Sequence, residues 1–169
     1  LSMILGPDGS KLSKRHGASS VEEFRSQGYV REALCNYLAL LGWSLDGETT
    51  LFSVDELVEK FSLGRVGSTA SVFDNEKLSW MNGHYIRGMD PGELALRIEQ
   101  FIENTVLAGL PGMDDKPSVA DLVPLVQEKM KTLADFVDLT EFFFHPAAFE
   151  EKALSRLVKD ANAPAVLAS

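Results

Sequence analysis

The residues with the clearest capacity for chemistry lie in Gly6-Pro7-Asp8-Gly9-Ser10-Lys11-Leu12-Ser13-Lys14-Arg15-His16-Gly17. Three cations, Lys11, Lys14 and Arg15, stand close together in a stretch hinged by Gly6, Pro7, Gly9 and Gly17. Lysine is a compact point charge on a flexible stem, and the N–H groups of a glycine-rich turn add further donors. Such a loop suits a polyphosphate that changes shape during reaction. The chemistry implied is nucleotide activation. Alone, a Lys-Leu-Ser-Lys-Arg run is a weak signal, because short basic runs usually belong to a solvated surface or a targeting sequence. His16 lies beside the run, where a supporting contact is open to it. With His84 and His145 far away and Cys35 the single cysteine, no metal-ligand spacing is present and no protein-held metal is expected.

The elements that must position this loop read as helices. Ser20 followed by Glu23 forms a capping-box pattern for a short helix to about Gln27, stopped by Gly28. Val30, Ala33, Leu34, Tyr37, Leu38 and Leu41 recur at helical spacing up to Gly42, with Trp43 closing over the end and Cys35 expected as a buried thiol. Ser53 caps a helix with Leu57, Val58 and Phe61 on one face, and the small residues of Gly64 to Phe73 read as a loop or close-packed turn. Asp74 caps a further helix whose stripe is Leu78, Met81, Tyr85, Ile86 and Met89, with Lys77, Trp80, His84 and Arg87 toward the flanks; Trp80 is expected to pack, with stacking on a base as the alternative.

Asp90-Pro91 starts the next helix, carrying Leu94, Ile98, Phe101 and Ile102 inward. Leu110 to Pro117 is a break. Ser118 caps a helix with Val119, Leu122, Val126 and Met130 on one side and Pro124 in its early turns, and helices are expected over 132–143 and 146–160. No run shows the period-two alternation of strands, so the fold class is all-α. A soft boundary falls between Gly88 and Pro91.

Composition sets bounds on function. At 169 residues with 45% hydrophobic and 24% charged residues, the chain has the make-up of an ordinary globular protein with no membrane segment, and a cytoplasmic setting is expected. Its formal net charge of −9 opposes general nucleic-acid affinity. Residues 1–17 nevertheless carry a net charge of +2, whereas seven basic residues face fourteen acidic ones from Asp90 onward. Any RNA would have to meet local cationic patches. In the second half only Lys129, Lys131, Lys152, Arg156 and Lys159 offer one.

The run LGPDGSKLSKRHGASSV, followed by YLALLGWS, VDELVEKFSLGRV and SVFDNEKLSWMNGHYIR, closely resembles bacterial glutamyl-tRNA synthetases just downstream of their nucleotide-binding core. Lys11 to Arg15 matches the KMSKS-type signature of class I aminoacyl-tRNA synthetases, with Leu12 in place of Met and Arg15 in place of the last Ser. The resemblance is strong over residues 1–90 and rests on helical character and position thereafter. It implies a KMSKS-type ATP loop at 1–17, a helical stem-contact region at 18–90 and a helical anticodon-binding module, incomplete, at 91–169.

It further implies that Lys14, assisted by Lys11, contacts ATP phosphates as glutamate is activated, with Ser13 and Arg15 supporting. Arg65, Lys77, Asn82 and Arg87, with Tyr85 nearby, are implied to lean on tRNA(Glu); the structural alternative is that Tyr85 belongs to the apolar stripe and Asn82 caps a neighbouring backbone. ATP with magnesium, glutamate and tRNA(Glu) are the expected partners of the parent enzyme, expected to be a monomer. Because the sequence opens at Leu1 inside a loop motif, it reads as a C-terminal fragment, catalytically inactive alone. Two rivals stand beside this reading. One is a glutaminyl-tRNA synthetase-related protein or shortened paralogue, the other a helical interaction module with an incidental basic loop.

Overall fold

A computed structural model describes residues 3–17, 20–103 and 117–144. The helices expected at 146–160, most of the 110–117 break, and Lys152, Arg156 and Lys159 lie outside the described residues. Among the described residues there are seven α-helices: α1 (Val21–Ser26), α2 (Arg31–Leu40), α3 (Val54–Lys60), α4 (Asn75–Arg87), α5 (Pro91–Glu103), α6 (Val119–Val126) and α7 (Asp135–Phe144).

Local side-chain chemistry starts most of them. Ser20, Ser53 and Ser118 each accept the N–H three residues on, while Glu23, Glu56 and Asp121 accept the N–H of the capping serine. Two otherwise unsatisfied donors are met at each of these helix starts. Asp74 Oδ1 caps α4 through Lys77 N at 2.9 Å, and Asp90 Oδ1 caps α5 through Gly92 N and Glu93 N. Among the described residues the fold is all-α save for one parallel pair of two-residue strands, β1 (Ile4–Leu5) on β2 (Ser71–Val72). Two residues are too few to show an alternation, so the sequence gives no sign of it.

Among the described residues three apolar clusters fill the interior. Phe24, Leu34, Tyr37, Phe73, Leu78 and Met81 form the one beneath the basic loop, with Ile4 and Leu12 packed against it. Trp43, Phe52 and Leu57 form a second, and Trp43 does close the end of α2. The largest joins Val30, Ala33 and Ile86 to Leu94, Ile98, Leu122, Met130 and Phe136. This core runs across the 88–91 segment without interruption. Polar contacts repeat the link, for Gln127 Nε2 donates to Ile86 O at 2.9 Å and to Met89 O at 2.8 Å.

Several positions differ from expectation. Cys35 is exposed, since it points away from the side of α2 that buries Ala33, Leu34, Asn36 and Tyr37. Leu38 (41% exposed), Val58 (78%) and Phe61 (44%) also stand outside, where Leu57 alone of α3 turns fully inward. Helix α6 stops at Val126 and gives way to a 3-10 turn over Gln127–Lys129, so Met130 is buried from an extended segment.

Candidate functional site

The basic loop is built as a closed hairpin. Leu12 N donates to Ile4 O at 3.0 Å, Gly6 N to Ser10 O at 2.7 Å, and Gly9, at φ 75°, turns the chain between them. Leu12 anchors the cationic limb in the apolar cluster below, which leaves Lys11 and Lys14 on the exposed side. Asp8 gathers the loop's tip. Its Oδ1 accepts from Ser10 N at 2.9 Å and Ser10 Oγ at 2.8 Å, and its Oδ2 from Arg15 Nη2 at 3.2 Å. The Ser10 backbone bond, with the hydroxyl and His16 adding to it, holds the Asp8 carboxyl well below the usual carboxylate range. Arg15 also donates to Ser10 Oγ at 2.6 Å, so its guanidinium braces the loop. Lys11 and Lys14 form no ion pair among the described residues. Among the described residues the structure thus pairs one loop cation internally and leaves two exposed without an ion-pair partner.

The four residues expected to meet RNA are not one cluster. Arg65 is exposed in a 3-10 turn over Leu63–Arg65 and donates to Leu45 O at 3.0 Å. Lys77 is exposed in the first turn of α4 and Arg87 half-buried in its last. Asn82 is fully buried: its Oδ1 accepts from Val30 N at 2.8 Å and its Nδ2 donates to Lys131 O. An RNA contact at Asn82 is therefore corrected to an internal clamp, because both ends of its amide are engaged by backbone.

What Asn82 clamps is informative. It draws Lys131 against α4, where Tyr29, Asn75, Glu76, Ser79, Trp80, Gly83, Arg87 and Lys131 line an open groove of about 520 Å³. Gly83 permits the approach, since a Cβ there would stand 3.0 Å from Arg87 Nη1 and 3.3 Å from Met130 O. Trp80 is 51% exposed and lies over His84, ring centroids 6.2 Å apart, instead of packing inside. Two cations and an exposed indole facing one groove can hold a phosphate and a stacked base.

Comparison with known proteins places the chain in a family. Residues 1–80 match the family described as tRNA synthetases class I (E and Q), catalytic domain, and residues 93–169 match an anticodon binding domain. A glutamate–tRNA ligase of Dehalococcoides mccartyi (strain CBDB1) is 41% identical over 172 residues, covering 100% of this chain and 35% of that protein. The chain belongs to the glutamyl-tRNA synthetase family. Another family member, from Moorella thermoacetica (strain ATCC 39073 / JCM 9320), is 41% identical over 98% of this chain and 34% of its own length. A solved glutamate tRNA ligase from Elizabethkingia meningosepticum CCUG26117 has a TM-score of 0.76 at 27% identity, covering 99% of this chain and 36% of that one. The chain spans about a third of the length of the relatives it matches.

Against this synthetase background, two groove residues escaped the sequence-based RNA cluster. The sequence groups Lys131 with a distant patch and offers Trp80 for base stacking only as the alternative to packing. The signal for both is the spacing of Glu76, Trp80, Gly83 and Arg87 along one face of α4, which becomes meaningful once residue 131 is known to lie beside it.

Proposed function

We propose that this chain supplies the phosphate-facing loop and a tRNA-facing helical region of a glutamate–tRNA ligase, which joins glutamate to tRNA(Glu) through a glutamyl-adenylate. As the glutamate carboxylate attacks the α-phosphorus of ATP, the bond to pyrophosphate breaks and negative charge gathers on the departing oxygens. Lys14, with Lys11 beside it, neutralises that charge, and Ser13 and Arg15 hold the loop's shape. The observation that carries this reading is the contrast within the loop, where Arg15 is tied to Asp8 and Ser10 while both lysines stand exposed without an ion-pair partner among the described residues.

The tRNA lies, in this reading, across α4, with Arg87 and Lys131 on phosphates, Trp80 against a base, and Arg65 and Lys77 as outer contacts. Magnesium accompanies the nucleotide. Among the described residues no three His, Cys, Asp or Glu side chains converge as ligands, and Asp8 is already engaged, so no step is assigned to a protein-held ion.

The test is glutamate-dependent exchange between ATP and pyrophosphate by the ligase containing this chain. Lys14→Ala is expected to slow exchange by roughly 10² to 10³, the effect of losing one preorganised donor to developing charge. The isolated chain should be silent in the same assay, because positioning of glutamate against ATP supplies much of the rate and needs more than this loop. Undiminished exchange in Lys14→Ala would overturn the assignment.

A further inference from the structure

His16 is the loop's hidden polar side chain. Its side chain is 9% exposed, against 51% for Asp8 and 65% for Arg15. It fills the space over Gly6, where a Cβ would stand 2.7 Å from His16 Nδ1. That Nδ1 lies 3.1 Å from Ser13 N, with Ser13 Oγ at 3.4 Å. A backbone N–H only donates, so Nδ1 is the acceptor and carries no proton. The neutral ring then bears its hydrogen on Nε2, and Nε2 lies 3.2 Å from Asp8 Oδ1. Arg15 Nε is also 3.2 Å from Nε2, but two N–H groups cannot bond each other; Arg15 is held through Nη2 instead.

The geometry points to Asp8 and His16 as a positioning pair for the two lysines: Asp8 fixes the Nε2–H tautomer of His16, whose bare Nδ1 holds the Ser13 N–H and sets the turn between Lys11 and Lys14. Neither side chain touches phosphate. The Ser13 N–H, a natural candidate for a phosphate donor, is already engaged inside the loop. Gly6 belongs to the device, because any side chain there displaces the ring. The inference rests on the reading of the loop as phosphate-facing, and its test separates the two.

The chain labelled with ¹⁵N throughout and at its histidine rings reports the tautomer directly, the other two histidines being assigned through His84→Gln and His145→Gln. We expect His16 to show a protonated Nε2 and a bare Nδ1, and Asp8→Ala to lose that single-tautomer pattern. A protonated Nδ1, or averaging between tautomers in the unaltered chain, would overturn the pair. His16→Ala should displace the amide resonances of Ser13, Lys14 and Arg15, whereas His16→Asn, which can return an acceptor near the Nδ1 position, should restore them. Unmoved amides in His16→Ala would remove the positioning role. Titration with inorganic tripolyphosphate then reads the consequence. His16→Ala should bind about fivefold more weakly, the effect of one hydrogen bond, and His16→Asn within about twofold of the unaltered chain. If the unaltered chain does not respond to tripolyphosphate, the phosphate reading fails while the ring spectrum still decides the pair.

Discussion

Glu32 and Arg97 stand 65 positions apart and meet in a two-point bond, Nη1 to Oε2 at 2.9 Å and Nη2 to Oε1 at 3.0 Å, with Glu93 Oε1 at 2.6 Å completing the set. Arg97 lowers the Glu32 pKa from an ordinary 4.5 to about 2, overcoming the burial that would raise it. A carboxyl depressed on folding adds stability that is whole above its unfolded pKa and fades as pH falls through its folded one. With 20% and 29% of the side chains exposed, the bond is sheltered enough to be worth about 1–3 kcal/mol. Glu32→Gln should therefore lower the urea midpoint at pH 7, and the gap from the unaltered chain should narrow below pH 4.5 and close toward pH 2. A gap of constant size would refute the account. Sequence spacing offers only the Glu93–Arg97 half of this set, four residues apart on α5. Glu32 is invisible at that level because its approach depends on how α2 and α5 pack. Cys35 was misjudged for the same reason: an apolar stripe gives a helix's inner face only to within one residue's turn.

At the scale of elements, the helix starts were legible and their tethers were not. A serine and an acid three residues later meet in nearly any helical start, so Ser20, Ser53 and Ser118 could be read without a fold. Asn82 looks like any polar residue on a helix flank until Val30 N and Lys131 O, 52 and 49 positions away, are found on its amide. It ties α4 to the start of α2 on one side and to the approach to α7 on the other. Asn82→Leu has a similar volume but leaves a buried N–H and a C=O unmet, and should cost about 2–4 kcal/mol in urea unfolding. It should also weaken tRNA binding, since Lys131 loses its clasp. A loss below about 0.5 kcal/mol would show that water replaces the amide without penalty.

Over the whole molecule, an acidic chain presents a few cations in chosen places. With a formal net charge of −9, the tRNA affinity proposed above would rest on local cations such as Arg65, Lys77, Arg87 and Lys131 and not on a general basic field. The logarithm of the affinity of this chain for tRNA(Glu) should fall against the logarithm of salt with a slope of about −2 to −4, and Arg87→Ala should remove about one from its magnitude. A slope near zero, or one that Arg87→Ala leaves alone, would take the groove out of RNA binding. The helical fold and the loop were readable because both are written in neighbouring residues; the groove was not, because one bank belongs to α4 and the other to the segment after α6. That divided ownership makes the groove a strap across a joint. A ligand lying in it binds only the docked arrangement, so by mass action it must raise the melting temperature of that joint as its concentration rises. Conversely, Gln127→Ala, which removes the amide that holds Ile86 O and Met89 O, should let the joint slip and erase the groove.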